Sequence, residues 1–189
     1  MYFLYTFIYT IVIIFLLPFE FFKRPRDLRR RWLREKFGSF DSEFHNSPGL
    51  PFADGGSSGF IWVHAVSVGE VIAASPLIKK IRERYPSKEI VLSTITDTGQ
   101  KVARERTPGG TRIVYLPFDI PTVLNSVLMR ASPELLIIIE TELWPNMFRI
   151  FGGGGVPIVL LNGRISEKSF RGYKISQRGG LEAVLVLED

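Results

Sequence analysis

Two glutamates are the residues of this sequence best suited to chemistry. Glu70 closes the segment VSVGE, and Glu140 opens the segment ETELWP; each stands just beyond a short apolar run. A carboxylate can take a proton from a hydroxyl, and a second carboxylate nearby shifts the proton affinity of the first. Two glutamates brought together in this way would suit deprotonation of a hydroxyl group.

The elements that would position them follow a regular pattern. Amphipathic stretches at 70–84 and 119–130 lie between short apolar runs, which predicts helices alternating with strands and hence a parallel sheet. Continuous apolar runs are typical of strands covered on both faces. We therefore predict an α/β fold with a Rossmann-like, doubly wound parallel sheet. Its predicted strands are 60–65, 89–94, 112–116, 134–139, 156–161 and 182–187.

The topology of such a sheet predicts where a site forms. Ligands bind beyond the carboxyl ends of the strands, where the strand order reverses. If the order is 3-2-1-4-5, the first and fourth strands are neighbours about 4.8 Å apart. The loops that carry Glu70 and Glu140 would then flank one crevice.

Structural readings of the same residues stay open. Glu70 follows Gly69 at the start of a predicted helix, where an acid is favoured by the helix dipole alone. Glu142 is better explained as stabilising the start of the next helix, with Pro145 in its first turn. His64, at the end of a buried strand, is more typical of a core histidine than of a ligand.

A cationic segment follows the fifth predicted strand. Arg164, Lys168 and Arg171 would share one face of a helix, just after Asn162. They could bind anions at the rim of the site, or they could form a solvated helix surface.

Composition excludes several classes of function. The chain of 189 residues has no cysteine and two histidines, which excludes disulfides and thiolate catalysis and argues against a multi-histidine metal site. The net charge of +5 comes from one local block, because residues 23–36 alone carry +6. Nucleic-acid binding is disfavoured, since it requires a basic face on the folded domain.

The N-terminus resembles a membrane anchor. Residues 1–19 contain no charged side chain and, as a helix, would be about 28 Å long, close to the thickness of a bilayer core. The basic block directly behind it predicts that the following domain is cytoplasmic, and the block itself would favour anionic lipid headgroups. A cleaved signal peptide would need its basic residues first. Whether the helix spans the bilayer or lies in one leaflet is left open.

Several long motifs, in order, indicate a family. The chain resembles the N-terminal half of bacterial 3-deoxy-D-manno-octulosonic acid (Kdo) transferases, which act on lipid A. The matching motifs are RRRWLREKFG at 29–38, WVHAVSVGE at 62–70, STITDTGQ at 93–100, YLPFDIP at 115–121, IIIETELWPN at 137–146 and NGRISEKSFRGY at 162–173.

The resemblance implies the N-terminal, acceptor-binding domain of a GT-B glycosyltransferase. It implies an inverting transfer of Kdo from CMP-Kdo to the lipid A precursor, without metal or cofactor, at the cytoplasmic side of the inner membrane. Glu70 would be the catalytic base and Glu140 would assist the transition state. The residues expected to contact substrates are Ser67, Gly69, Asn162, Arg164, Lys168 and Arg171.

The expected organisation has three parts: an anchor helix at 1–22, a basic juxtamembrane segment and linker at 23–58, and the acceptor domain at 59–189. The family's donor-binding domain has no counterpart among these 189 residues. Asn162-Gly163-Arg164 also departs from the usual Asn-Ala-Arg, and 178–189 follows the family pattern loosely. The alternative function is a membrane-tethered module that binds lipid A precursor without catalysis. A nucleotide-dependent oxidoreductase is disfavoured, because Gly69 is the single glycine of the first turn where a dinucleotide fingerprint needs three.

Overall fold

The computed structural model describes residues 2–40, 59–140, 144–161 and the strand at 183–186. Within these ranges the chain forms a six-stranded parallel sheet with helices on both faces, preceded by two N-terminal helices. The strands are β1 (Phe60–His64), β2 (Glu89–Thr94), β3 (Thr111–Tyr115), β4 (Pro133–Ile139), β5 (Ile158–Leu161) and β6 (Ala183–Val186). The helices are α1 (Tyr2–Lys23), α2 (Arg26–Lys36), α3 (Val68–Arg84), α4 (Asp97–Arg106), α5 (Pro121–Ala131) and α6 (Pro145–Gly153).

The strand order confirms the assumed topology. The order is β3-β2-β1-β4-β5-β6, and every pairing is parallel. The order reverses between β1 and β4, so the carboxyl ends of these two strands are neighbours. This is the point at which an open α/β sheet binds its ligands.

Both faces of the sheet are covered, which explains the continuous apolar strands. Every residue of β1 is buried. On one face Trp62 packs with Leu124 of α5 and Phe151 of α6. On the other face Val63 packs with Ile78 of α3 and Ala103 of α4. The predicted doubly wound α/β fold is confirmed.

Boundaries differ slightly from the prediction, for local reasons. β5 begins at Ile158 rather than at 156, because the Val156 N–H bonds back to the Phe151 carbonyl at the end of α6. Helix α3 begins at Val68 because the Ser67 hydroxyl caps it. Helix α5 begins at Pro121, whose fixed φ suits the first turn of a helix.

Helix α2 forms from the basic block and covers an edge of the sheet. Its Glu35 is buried and accepts the outward N–H of Tyr115 on the edge strand β3 (2.7 Å), while Arg31 donates to the Ile113 carbonyl (2.5 Å). Arg31 also pairs with Glu35 (2.6 Å). An uncovered edge strand invites pairing with other chains, so these bonds protect the sheet. Part of the basic block therefore packs within the fold, where its side chains are not available to lipid headgroups.

Helix α1 packs beside α2 on the same side of the molecule. Its Ile13, Leu17 and Phe21 rest against a cluster formed by Trp32, Tyr115 and Phe118. Among the described residues it is the one helix long and apolar enough to cross a membrane.

Candidate active site

Glu70 lies in the first turn of α3, immediately beyond the carboxyl end of β1. Its backbone N–H donates to the Ser67 hydroxyl (3.2 Å), and its carboxylate Oε2 accepts the Val66 N–H (2.7 Å). This reciprocal arrangement resembles a capping box, in which a serine and a glutamate satisfy the free donors at a helix start. The side chain is 6% exposed. Within the described residues the Glu70 carboxylate accepts no further hydrogen bond.

Glu140 follows β4 directly and has an unusual backbone conformation. Its φ is +63°, a left-handed conformation that side chains other than glycine adopt rarely. The Glu140 N–H donates to the Leu161 carbonyl of β5 (2.8 Å), which holds the turn in place. The side chain is exposed at the carboxyl edge of the sheet. Strained residues of this kind concentrate at functional sites.

The sheet register places Glu70 and Glu140 at the same edge of the sheet. His64 of β1 pairs with Ile138 of β4, and Val66 and Glu140 each stand two residues further along the chain. The Glu70 carboxylate accepts the Val66 N–H beyond the carboxyl end of β1, while Glu140 follows the neighbouring strand β4. The strand order that the prediction assumed is confirmed; the proximity of the two carboxylates and their catalytic roles stay predictions.

Two polar residues that the sequence interpretation did not single out support this edge. The carboxylate of Asp119, which follows β3, accepts the backbone N–H groups of Asn146 (3.0 Å) and Met147 (2.7 Å) and so caps α6. The Asn146 side chain donates back to the Asp119 carbonyl (2.7 Å). Both residues are buried. Burial raises the pKa of the Asp119 carboxyl, and the two N–H groups oppose that rise. No local pattern predicts the pair, because the partners are 27 residues apart.

His64 is a buried core residue, as its position predicted. Its Nδ1 lies 2.9 Å from the Ser93 hydroxyl, which also accepts the Trp62 indole N–H (2.8 Å). Its Nε2 has no hydrogen-bond partner within the described part of the chain. Burial lowers the pKa of His64 to about 4, so the ring is neutral at physiological pH.

The other predicted site residues divide into two groups. Ser67 and Gly69 are exposed in the first turn of α3, beside Glu70. Four further residues lie outside the described ranges, and their predicted role in binding anions stays a prediction; they are Asn162, Arg164, Lys168 and Arg171. The described residues contain no cluster of three or more His, Asp or Glu side chains suited to a metal ion.

The fold and the site define a class of protein: a doubly wound α/β domain with a glutamate beyond each of the two strands that meet at its switch point. A family model described as 3-deoxy-D-manno-octulosonic-acid transferase (kdotransferase) matches residues 31–185. The chain belongs to this family.

Individual relatives agree with the family match. The chain is 34% identical over 151 residues to a 3-deoxy-D-manno-octulosonic acid transferase of Haemophilus influenzae, covering 80% of this chain and 33% of the relative. It is 30% identical over 180 residues to the transferase of the same name from Chlamydophila psittaci, covering 94% and 40%. A probable mitochondrial 3-deoxy-D-manno-octulosonic acid transferase of Arabidopsis thaliana is 35% identical over 144 residues, covering 76% and 32%. The chain thus spans between a third and two fifths of the length of these relatives.

Proposed function

We propose that this chain is the acceptor-binding part of a membrane-associated glycosyltransferase that transfers Kdo from CMP-Kdo to a lipid A precursor, with Glu70 as the general base. The observation that carries the proposal is the position of the Glu70 carboxylate. It is held beyond the carboxyl end of β1, at the strand-order switch point beside β4, in a chain of the Kdo transferase family.

The bond from Val66 explains how Glu70 could act. It fixes Oε2, which orients the carboxylate and leaves Oε1 for a substrate hydroxyl. Glu70 takes the proton of an acceptor hydroxyl as the oxygen attacks the anomeric carbon of Kdo. The bond from that carbon to the phosphate oxygen breaks, and CMP leaves with the electron pair. Attack from the opposite side of the leaving group inverts the anomeric centre.

The neighbouring groups have distinct roles in this proposal. Glu140 adds negative charge beside the reacting centre, where positive charge develops on the sugar ring in the transition state. Ser67 and Gly69 line the approach of the acceptor. Arg164, with Lys168 and Arg171, binds anionic groups of acceptor or donor, beside Asn162. Neither a metal ion nor a cofactor takes part.

Attachment to the cytoplasmic face of the inner membrane belongs to the same proposal. The acceptor is a lipid, and α1 exposes a long apolar surface. The exposed basic residues Lys23, Arg26 and Arg30 stand directly behind it. Basic residues beside an apolar helix favour the cytoplasmic side and anionic headgroups.

The test is Glu70→Gln in the full-length protein. Glutamine keeps an oxygen that can accept the Val66 N–H but cannot take up a proton at neutral pH. We expect kcat for transfer from CMP-Kdo to lipid A precursor to fall by roughly 10²–10⁴, the usual contribution of a general base. The thermal midpoint should stay close to that of the wild type.

A structural role alone predicts a different result. If Glu70 only caps α3, the glutamine variant retains normal transfer, and Glu70→Ala loses stability without a specific loss of rate. If the wild-type protein binds lipid A precursor but transfers no sugar, the non-catalytic binding module replaces the transferase proposal.

A further inference from the structure

Helix α1 has two faces that differ in what they contact. Its half-buried residues recur at intervals of three or four, which places them on one side of the helix; they are Tyr2, Tyr5, Thr6, Tyr9, Thr10, Ile13, Leu17, Glu20 and Phe21. The opposite side is apolar and open. Leu4 is 61% exposed, Phe15 78% and Phe22 67%.

The inner face contacts the folded domain near the start of the helix through polar groups. The Thr6 hydroxyl accepts a hydrogen bond from the Asn146 side chain (2.9 Å), and the Tyr9 hydroxyl accepts the Asp119 N–H (3.2 Å). The guanidinium of Arg149 lies 5.2 Å from the centre of the Tyr2 ring.

The contact continues to the other end of the helix. Ile13, Leu17 and Phe21 pack on the cluster around Trp32, and Glu20 pairs with the buried Arg24 (2.8 Å). At about 1.5 Å per residue, the stretch from Tyr2 to Phe21 is roughly 28 Å long, nearly the thickness of a bilayer core. The domain therefore accompanies α1 over the length that a membrane span would need.

This geometry is incompatible with a helix that crosses the bilayer. If α1 spanned it, Asp119, Asn146 and Arg149 would be carried into the hydrocarbon beside the helix. Charged groups and open loops are very costly there. An orientation along the membrane surface avoids that cost, because the inner face stays on protein and only the outer face enters lipid.

We propose that α1 lies in the plane of one leaflet, with its outer face immersed and the α/β domain resting on the membrane surface. The partner is a bilayer leaflet with anionic headgroups. Charge supports this choice: Lys23, Arg26 and Arg30 are exposed at the end of the helix, while Arg29 stacks on Phe21 and Phe22. The inference refines the membrane attachment in the proposed function, on which it rests.

The orientation has a consequence for the acceptor lipid. The first turns of α1 contact Asn146 and Trp144, which follow Glu140 closely in the chain. The carboxyl edge of the sheet is thus beside the immersed helix. A lipid could present its headgroup hydroxyl to Glu70 while its acyl chains stay in the leaflet.

A cysteine scan tests the orientation directly, since the chain has no cysteine of its own. Single cysteines at residues 3–22 would be spin-labelled in the full-length protein, bound to vesicles of phosphatidylethanolamine and phosphatidylglycerol. We expect immersion depth to follow the helical period, with labels at Leu4, Phe15 and Phe22 equally deep. A single maximum near Val12, together with labelling of Leu4→Cys from the far side by an impermeant maleimide, would establish a span and overturn the proposal.

A matched pair of substitutions to glutamate tests whether the outer face of α1 contacts lipid. Phe15→Glu should weaken vesicle binding roughly 10- to 100-fold, the effect of withdrawing one large apolar side chain from lipid. Met129→Glu is the control, because Met129 on α5 is equally exposed, at 78%, but distant in sequence and outside α1. Equal effects of the two substitutions would contradict the proposal.

The two proposals can fail separately. Sugar transfer to a detergent-dispersed acceptor reports on the transferase and does not require vesicles. If label depth follows the helical period but no Kdo is transferred, the in-plane orientation of α1 stands and the transferase proposal fails. If the protein transfers Kdo but binds no vesicles, the transferase proposal stands and the in-plane orientation fails.

Discussion

Among the described residues, no neighbour requires a glycine at position 69. A Cβ built there meets only the Ser67 hydroxyl of this part of the chain, at 3.8 Å, which is ordinary contact. Glycine in a helix is less favourable than alanine by up to about 1 kcal/mol. Because Gly69 stands beside Glu70, we expect a substrate to approach the backbone here.

Gly69→Ala tests that suggestion. We expect unchanged or slightly higher stability, because alanine favours the helix, together with a decrease in kcat/KM of roughly 10- to 100-fold, because the methyl group displaces the acceptor. Gly109→Ala is the control, since Gly109 is exposed and a Cβ there meets nothing within 4 Å. Unchanged kinetics in the Gly69 variant would remove this residue from the substrate site.

The position of Glu140 could be predicted from the sequence, but its backbone conformation could not. Its position at the end of the fourth strand follows from the apolar run before it. Its left-handed backbone does not, because that conformation depends on the bond to Leu161 of a neighbouring strand. Sequence patterns describe local preferences, and this turn is set by a tertiary contact.

At the scale of elements, the packing of α2 could not be predicted from the sequence. Its run of basic residues predicts an exposed surface segment, yet Trp32, Glu35 and Lys36 are buried. The decisive contact joins Glu35 to Tyr115, which is 80 residues away. Strands and main helices were predictable, because each carries its own periodic pattern; the docking of α2 required knowledge of the sheet edge.

Substitutions of Glu35 measure how much the contact between α2 and the edge strand β3 contributes to stability. Glu35→Ala leaves the Tyr115 N–H without its partner, and an unpaired buried donor costs about 1–3 kcal/mol. We expect a loss of that size in the free energy of unfolding, measured by urea denaturation in mild detergent. Glu35→Gln should lose less, because the amide oxygen can still accept the bond. Equal losses in the two variants would mean that charge, not the edge contact, matters.

At the scale of the whole molecule, buried bases make stability depend on pH. Burial, reinforced by Arg24, lowers the pKa of Lys36 from 10.5 to about 7. Between these values the unfolded chain binds more protons than the folded one, so stability rises with pH. His64 acts in the same direction at lower pH, between 6.5 and about 4. Asp119, whose pKa is raised, acts in the opposite direction, so the test belongs above pH 7.

Lys36→Met should remove the upper part of this dependence. The urea midpoint of the wild type is expected to rise between pH 7 and 9, below the range in which tyrosines ionise, whereas that of the variant should be higher at pH 7 and nearly flat. Lys79→Met, at an exposed position of α3, is the control and should keep the wild-type slope. A variant curve parallel to the wild type would show that Lys36 is charged in the folded state throughout this range.

The two-faced form of α1 also determines how this protein can be handled in water. Removing the helix to obtain a soluble domain would strip the cover from Trp32, Tyr115 and Phe118 and deprive Asn146 of its bond to Thr6. Such a truncation would replace one exposed apolar surface by another. Polar substitutions confined to the outer side, at Leu4, Phe15 and Phe22, would keep the inner contacts, and we expect them to give a soluble protein whose candidate active site is unchanged.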